Sequence, residues 1–122
     1  MDANRERLQK KLDDLLKQAT KVAAELQALD QGGQTPHYDQ IELPAHALGQ
    51  RFSRMVQTER AREVAASERC EAACPDCGRK CKVSTNSREV HSLDGPLEVV
   101  ETVAHCRRCR RSFFPSASRL GT

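Results

Sequence analysis

Residues 74–109 read CPDCGRKCKVSTNSREVHSLDGPLEVVETVAHCRRC, a stretch that opens and closes on a CxxC pair. Cys74 and Cys77 form the first pair, Cys106 and Cys109 the second, and residues 78–105 separate them. Two CxxC pairs at such a distance have the spacing of a zinc ribbon. Each pair can close a tight turn, a knuckle, that aims two thiolates at one ion. Zinc imposes no geometry of its own and accepts four thiolates tetrahedrally. Gly78, directly after the second thiolate, permits the left-handed backbone that such a knuckle often needs. Cys74, Cys77, Cys106 and Cys109 are therefore the candidate ligands of one Zn2+ ion.

Other uses of these cysteines fit less well. A disulfide framework needs an oxidising compartment, and the N-terminus MDANRERLQKK offers no apolar stretch for a secretory signal. A thioredoxin-like redox site would place one CxxC within a βαβ pattern, which the sequence lacks. Two further thiols flank the first knuckle. Cys81 is the alternative ligand, and Cys70 reads as a free thiol.

Between the knuckles the sequence alternates with the period of strands. Lys82–Thr85 and Glu89–Leu93 lead to Asp94-Gly95, a turn signal, and Leu97–Val103 returns. The hairpin so predicted brings Cys106 back beside Cys74. Ser112-Phe113-Phe114 adds a further strand whose aromatic covers the metal site. Few large side chains are available here, so bound metal is expected to supply much of the folding energy.

The whole chain has 122 residues, of which 30% are charged and 3% aromatic, with no tryptophan. That composition favours small modules over one sizeable core. No apolar run is long enough to span a bilayer, and a soluble protein with reduced thiols, cytoplasmic in location, is expected. Net charge is +3. Residues 1–69 carry eleven basic and eleven acidic side chains and residues 70–122 nine against six, so the surplus lies on the cysteine-rich half.

Upstream, residues 1–33 read as an amphipathic heptad helix. Leu8, Leu12, Leu15, Ala19, Val22, Leu26 and Leu29 follow one another in alternating steps of four and three. Asp2 or Asn4 can cap its start, and Gln31-Gly32-Gly33 ends it. At 1.5 Å per residue the helix is about 40 Å long, with too narrow an apolar stripe to be stable alone. Its partner is either a second copy, giving a coiled-coil homodimer through residues 3–29, or the next helix of the same chain. Residues 34–43 are assigned to a polar linker and residues 44–69 to a second helix with Pro44 in its first turn. Ala45, Leu48, Phe52, Met55, Val56 and Val64 line one face of that helix. Arg51, Arg54, Arg60 and Arg62 stand against Glu59, Glu63 and Glu68 and read as a solvated face. His37 and His46 lack metal-ligand companions and read as surface histidines. Residues 70–116 make the zinc ribbon and 117–122 a C-terminal tail. The fold class expected is a small α+β chain: long N-terminal helices, then an antiparallel β ribbon.

The chain resembles the N-terminal region of ISKra-type insertion-sequence transposases. HALGQRFSRMVQ, ACPDCG with the following Cys81, and EVHSLDGPLEVVETVAHCRRCRRSFFP carry the resemblance, in that order, over residues 41–119. The likeness implies a helical segment and zinc ribbon ahead of a ribonuclease-H-like nuclease domain that cuts and joins transposon ends with acidic residues and divalent metal. The sequence stops at Gly121-Thr122, so a truncated or split transposase without that catalytic domain, or a free-standing relative, is expected.

Two functions from different classes follow. In the first, Arg107, Arg108, Arg110 and Arg111 around the second knuckle, with Arg79, Lys80 and Lys82 around the first, meet the phosphates of duplex DNA, such as transposon ends. No aromatics interleave with these charges, so base stacking on single strands is not indicated. In the second, the coiled coil dimerises and the ribbon docks another protein, a zinc-stabilised interaction module. Enzymatic activity is not expected, because four thiolates close the metal shell and no nucleophile–base pair stands elsewhere. Asp13, Asp14, Asp30 and Asp39 read as helix and linker surface. No small-molecule substrate is foreseen.

Overall fold

A computed structural model describes residues 2–67 and 70–121. Met1, Glu68, Arg69 and Thr122 lie outside the described residues, and with them the last two positions assigned to the second helix, including the charge of Glu68. The elements run α1 (Ala3–Asp30), α2 (Tyr38–Ala66), β1 (Glu71–Ala73), β2 (Lys80–Ser92), β3 (Gly95–Cys106), β4 (Arg111–Phe113) and α3 (Pro115–Leu120). The four strands form an antiparallel sheet in the order β1-β2-β3-β4. This is the small α+β class expected from the sequence. No helix among the described residues is long and apolar enough to cross a membrane. The chain divides into two compact units, residues 1–47 and 48–122.

In the first unit, Asp2 caps α1, its carboxylate accepting from the Arg5 N–H at 3.3 Å. Gly32 and Gly33, with φ of +63° and +78°, end the helix as expected. None of the α1 residues is buried.

The linker is shorter than the sequence suggests, since α2 begins at Tyr38 rather than at residue 44. One local device explains this. Gln40 reaches back to accept from the His37 N–H at 2.9 Å, the return half of a capping box. Pro44 then sits inside the helix rather than in its first turn, and it has no N–H for the Gln40 carbonyl. The side chain of Gln31 donates to that carbonyl instead, at 3.3 Å.

In the second unit, β2 and β3 pair from Val83 opposite Ala104 to Ser92 opposite Gly95, while residues 80–82 of β2 pair with β1 and residues 104–106 of β3 with β4. The sequence reads β2 as two pieces, but it is one strand. The loop residues are Leu93 and Asp94, and Gly95 opens β3 with a φ of +109°. Ser53 of α2 donates to the Asp94 carboxylate, and Arg54 donates to the Asp94 carbonyl at 2.7 Å. Arg54 is thus a clamp on the hairpin turn and not part of a solvated face. Arg60 and Arg62, paired with Glu63 and Glu59, do remain on that face.

The C-terminal tail is also ordered differently. Pro115 and Gly121 bracket α3, and Ser116 is fully buried. Ser116 Oγ accepts from the Thr102 N–H at 2.8 Å, while the Ser116 N–H donates to Thr102 Oγ1 at 2.9 Å. This reciprocal pair fastens α3 to β3 and satisfies the polar groups that their contact buries.

Candidate metal centre

The period-2 alternation of the strands divides the sheet's side chains between two faces. Cys81, Val83, Ala104, Cys106 and Phe113 share one face by register, and they form the core of the ribbon with Cys74, Cys77 and Cys109. Lys82, Ser84, Val103, His105 and Ser112 fall on the reverse face.

Each knuckle is shaped by its own backbone. The Gly78 N–H donates to the Cys74 carbonyl and the Cys74 N–H to the Arg79 carbonyl, both at 2.8 Å, closing the first turn. In the second, the Cys109 N–H donates to Cys106 Sγ at 3.4 Å. Gly78 has a φ of +75°, as the sequence anticipates, and Arg110, the matching position of the second knuckle, has +56°. Arg111 pairs with Asp76 at 3.7 Å, an ion pair that ties one knuckle to the other.

The hairpin brings the four expected cysteines together. The sulfurs of Cys74, Cys77, Cys106 and Cys109 all lie within 4.8 Å of one another. Cys77 and Cys106 are 3.6 Å apart, and Cys74 and Cys109 3.9 Å. A tetrahedral shell with zinc–sulfur bonds of about 2.3 Å sets its sulfurs about 3.8 Å apart. The residues therefore fit the ion: the cluster has the donor set, the spacing and the burial of a metal site. The Cys109 N–H, the nearest donor to its sulfur, holds the Cys106 thiol down to about 6, so that it ionises readily. The hydrogen bond with Cys77 pushes Cys109 the other way, up to about 12. A divalent cation would take all four side chains as thiolates and release their protons.

Cys81 packs against the cluster without joining the four. Burial raises its thiol, and its Sγ–H donates to the Arg79 carbonyl at 3.4 Å. Cys70 is exposed.

On the reverse face a groove of about 510 Å³ is lined by Arg79, Lys80, Lys82, Ser84, His105 and Arg107. Four of the seven basic residues proposed as phosphate contacts thus share one concavity. Arg108, Arg110 and Arg111 are exposed but do not line it. His105, whose Nδ1 lies 3.3 Å from Ser112 Oγ, is a groove residue that reading the sequence missed. Its place directly ahead of Cys106 on an alternating strand was the available signal, because the neighbour of an inward-facing ligand points to the opposite face.

Comparison with protein-family models, curated proteins and solved structures yields no match.

Proposed function

We propose that the chain is a zinc-ribbon module that binds duplex DNA, of the kind found ahead of the nuclease domain in ISKra-type transposases. One observation carries this reading: Arg79, Lys80 and Lys82 from the first knuckle and Arg107 from the second line a single groove. The knuckles are rigid once metal is bound, so these cations are presented with little ordering cost. A concave surface lined by one sign of charge focuses its field on an anion, and each phosphate neutralised releases condensed counterions. Phosphate contacts fix position on the duplex and carry no sequence information, so the electrostatic part of the binding is common to all duplex sequences.

Duplex binding measured against salt tests the proposal. The affinity should fall steeply as salt rises, with a slope that drops by about 0.9 for each phosphate contact removed. Replacing Arg79, Lys82 and Arg107 with serine should weaken binding on all duplex sequences alike while the bound zinc is retained. Unchanged affinity and slope in that variant would remove DNA from the reading. The exposed apolar stripe of α1 supports the second reading, a protein-interaction module, and in that case a protein partner would take the place of DNA.

A further inference from the structure

The seam of α1 is open along its length: Leu8 and Leu15 are each 50% exposed, Val22 64% and Leu26 59%. Its heptad places Leu12, Ala19 and Leu26 at a, and Leu8, Leu15, Val22 and Leu29 at d. The start of α2 does not cover this seam. It touches α1 through Gln27 and Gln31, which donate to the carbonyls of Ile41 and Gln40 at 3.3 Å from heptad positions b and f, on the far side of the helix.

We propose that α1 pairs with α1 of a second copy as an antiparallel coiled coil whose two-fold axis passes beside Lys17. The charges flanking the seam select this arrangement. Lys11, Gln18 and Glu25 occupy the g positions, and in an antiparallel pair g faces g. With the axis at residue 17, Lys11 faces Glu25 of the second copy, Glu25 faces its Lys11, and Gln18 faces Gln18. The same register stacks Leu8 on Leu26, Leu12 on Val22 and Leu15 on Ala19 in each direction, so the small alanine meets a leucine. Leu16, at e and 43% exposed, meets its own copy beside the axis.

The parallel, in-register alternative pairs g with e of the second copy. There Lys11 faces Leu16 and Glu25 faces Asp30, so the one charged pair is repulsive. It also sets Ala19 on Ala19 and leaves a gap at the middle of the seam. Sliding the antiparallel pair by one heptad in either direction breaks both Lys11–Glu25 pairs: one slide sets Glu25 against Gln18 and strips Leu8 of its partner, the other sets Lys11 against Gln18 and strips Leu26 of its partner.

Sedimentation of the zinc-loaded 122-residue chain under reducing conditions tests this. The chain should sediment as a dimer, and Leu15→Asp should make it a monomer. Lys11→Glu and Glu25→Lys should each weaken the dimer by about tenfold, because each turns two attractive pairs into repulsive ones. The double variant Lys11→Glu with Glu25→Lys should restore it. In a parallel pair Glu25→Lys would instead strengthen association, by removing the repulsion with Asp30. A monomer at every attainable concentration, a dimer that survives Leu15→Asp, or a Glu25→Lys variant that leaves the dimer unchanged or tighter would overturn the proposal.

Discussion

Arg110 holds a φ of +56° at the position where the first knuckle has Gly78 at +75°. A side chain in this left-handed region costs about 1 kcal/mol relative to glycine. Arg110→Gly should therefore raise the stability of the zinc-loaded protein by about that amount, and Gly78→Ala should lower it similarly, as read from chemical denaturation. A second residue-scale case is Glu101, which is buried in β3 and held by Arg88 at 3.0 Å. One of its carboxylate oxygens has no partner among the described residues. Removing the cation while leaving the buried carboxylate should be costly, so Arg88→Met should destabilise the fold by about 1–3 kcal/mol, while a change to lysine should recover part of that loss. The residue order was a sign of it: Leu97, Val99, Glu101 and Val103 share one strand face, with an acid where an apolar side chain would continue the pattern.

At the scale of the element, Pro44 gives the clearest test. It lies inside α2, and the Gln40 carbonyl it leaves open is served by Gln31. Pro44→Ala should restore the helical hydrogen bond and stabilise α2 by about 1–3 kcal/mol, with a gain in far-ultraviolet helicity. The β hairpin is expected to depend on bound metal in a way that the helices are not. Its core around the knuckles is made of cysteines, Ala104, Val83 and Phe113, too little apolar surface to hold by itself. Chelation should unfold residues 72–115 and leave α1 helical, an outcome that amide exchange or circular dichroism would report. Cys74→Ser should have the same effect as chelation, whereas Cys70→Ser should keep one zinc per chain.

For the whole molecule, the proposed functions rest on different parts and can be separated. The groove needs the two knuckles held together, since Arg79 precedes β2 and Arg107 follows β3, each beside its own CxxC turn. Stripping the metal should accordingly abolish duplex binding, measured at fixed salt, and returning zinc should restore it. The α1 seam contains no metal ligand and no groove residue. Dimerisation should therefore persist in the chelated protein at unchanged strength, a result accessible to sedimentation with and without chelator.

The sequence alone determined the parts governed by local spacing. CxxC pairs can be read directly because a knuckle is a turn of a few residues, and the heptad of α1 because helical geometry repeats every turn. The hairpin's existence followed from alternation and the Asp94-Gly95 signal, for the same reason. What the tertiary structure decided were pairings between distant residues: Arg54 on the Asp94 turn, Gln31 on the carbonyl that Pro44 leaves open, Thr102 with Ser116, and the gathering of Arg79, Lys80, Lys82 and Arg107 in one groove while Arg108 and Arg110 stay outside it. Each depends on which polar group is left without a local partner and on the strand register that brings another within reach, and neither is written in any short stretch of the chain.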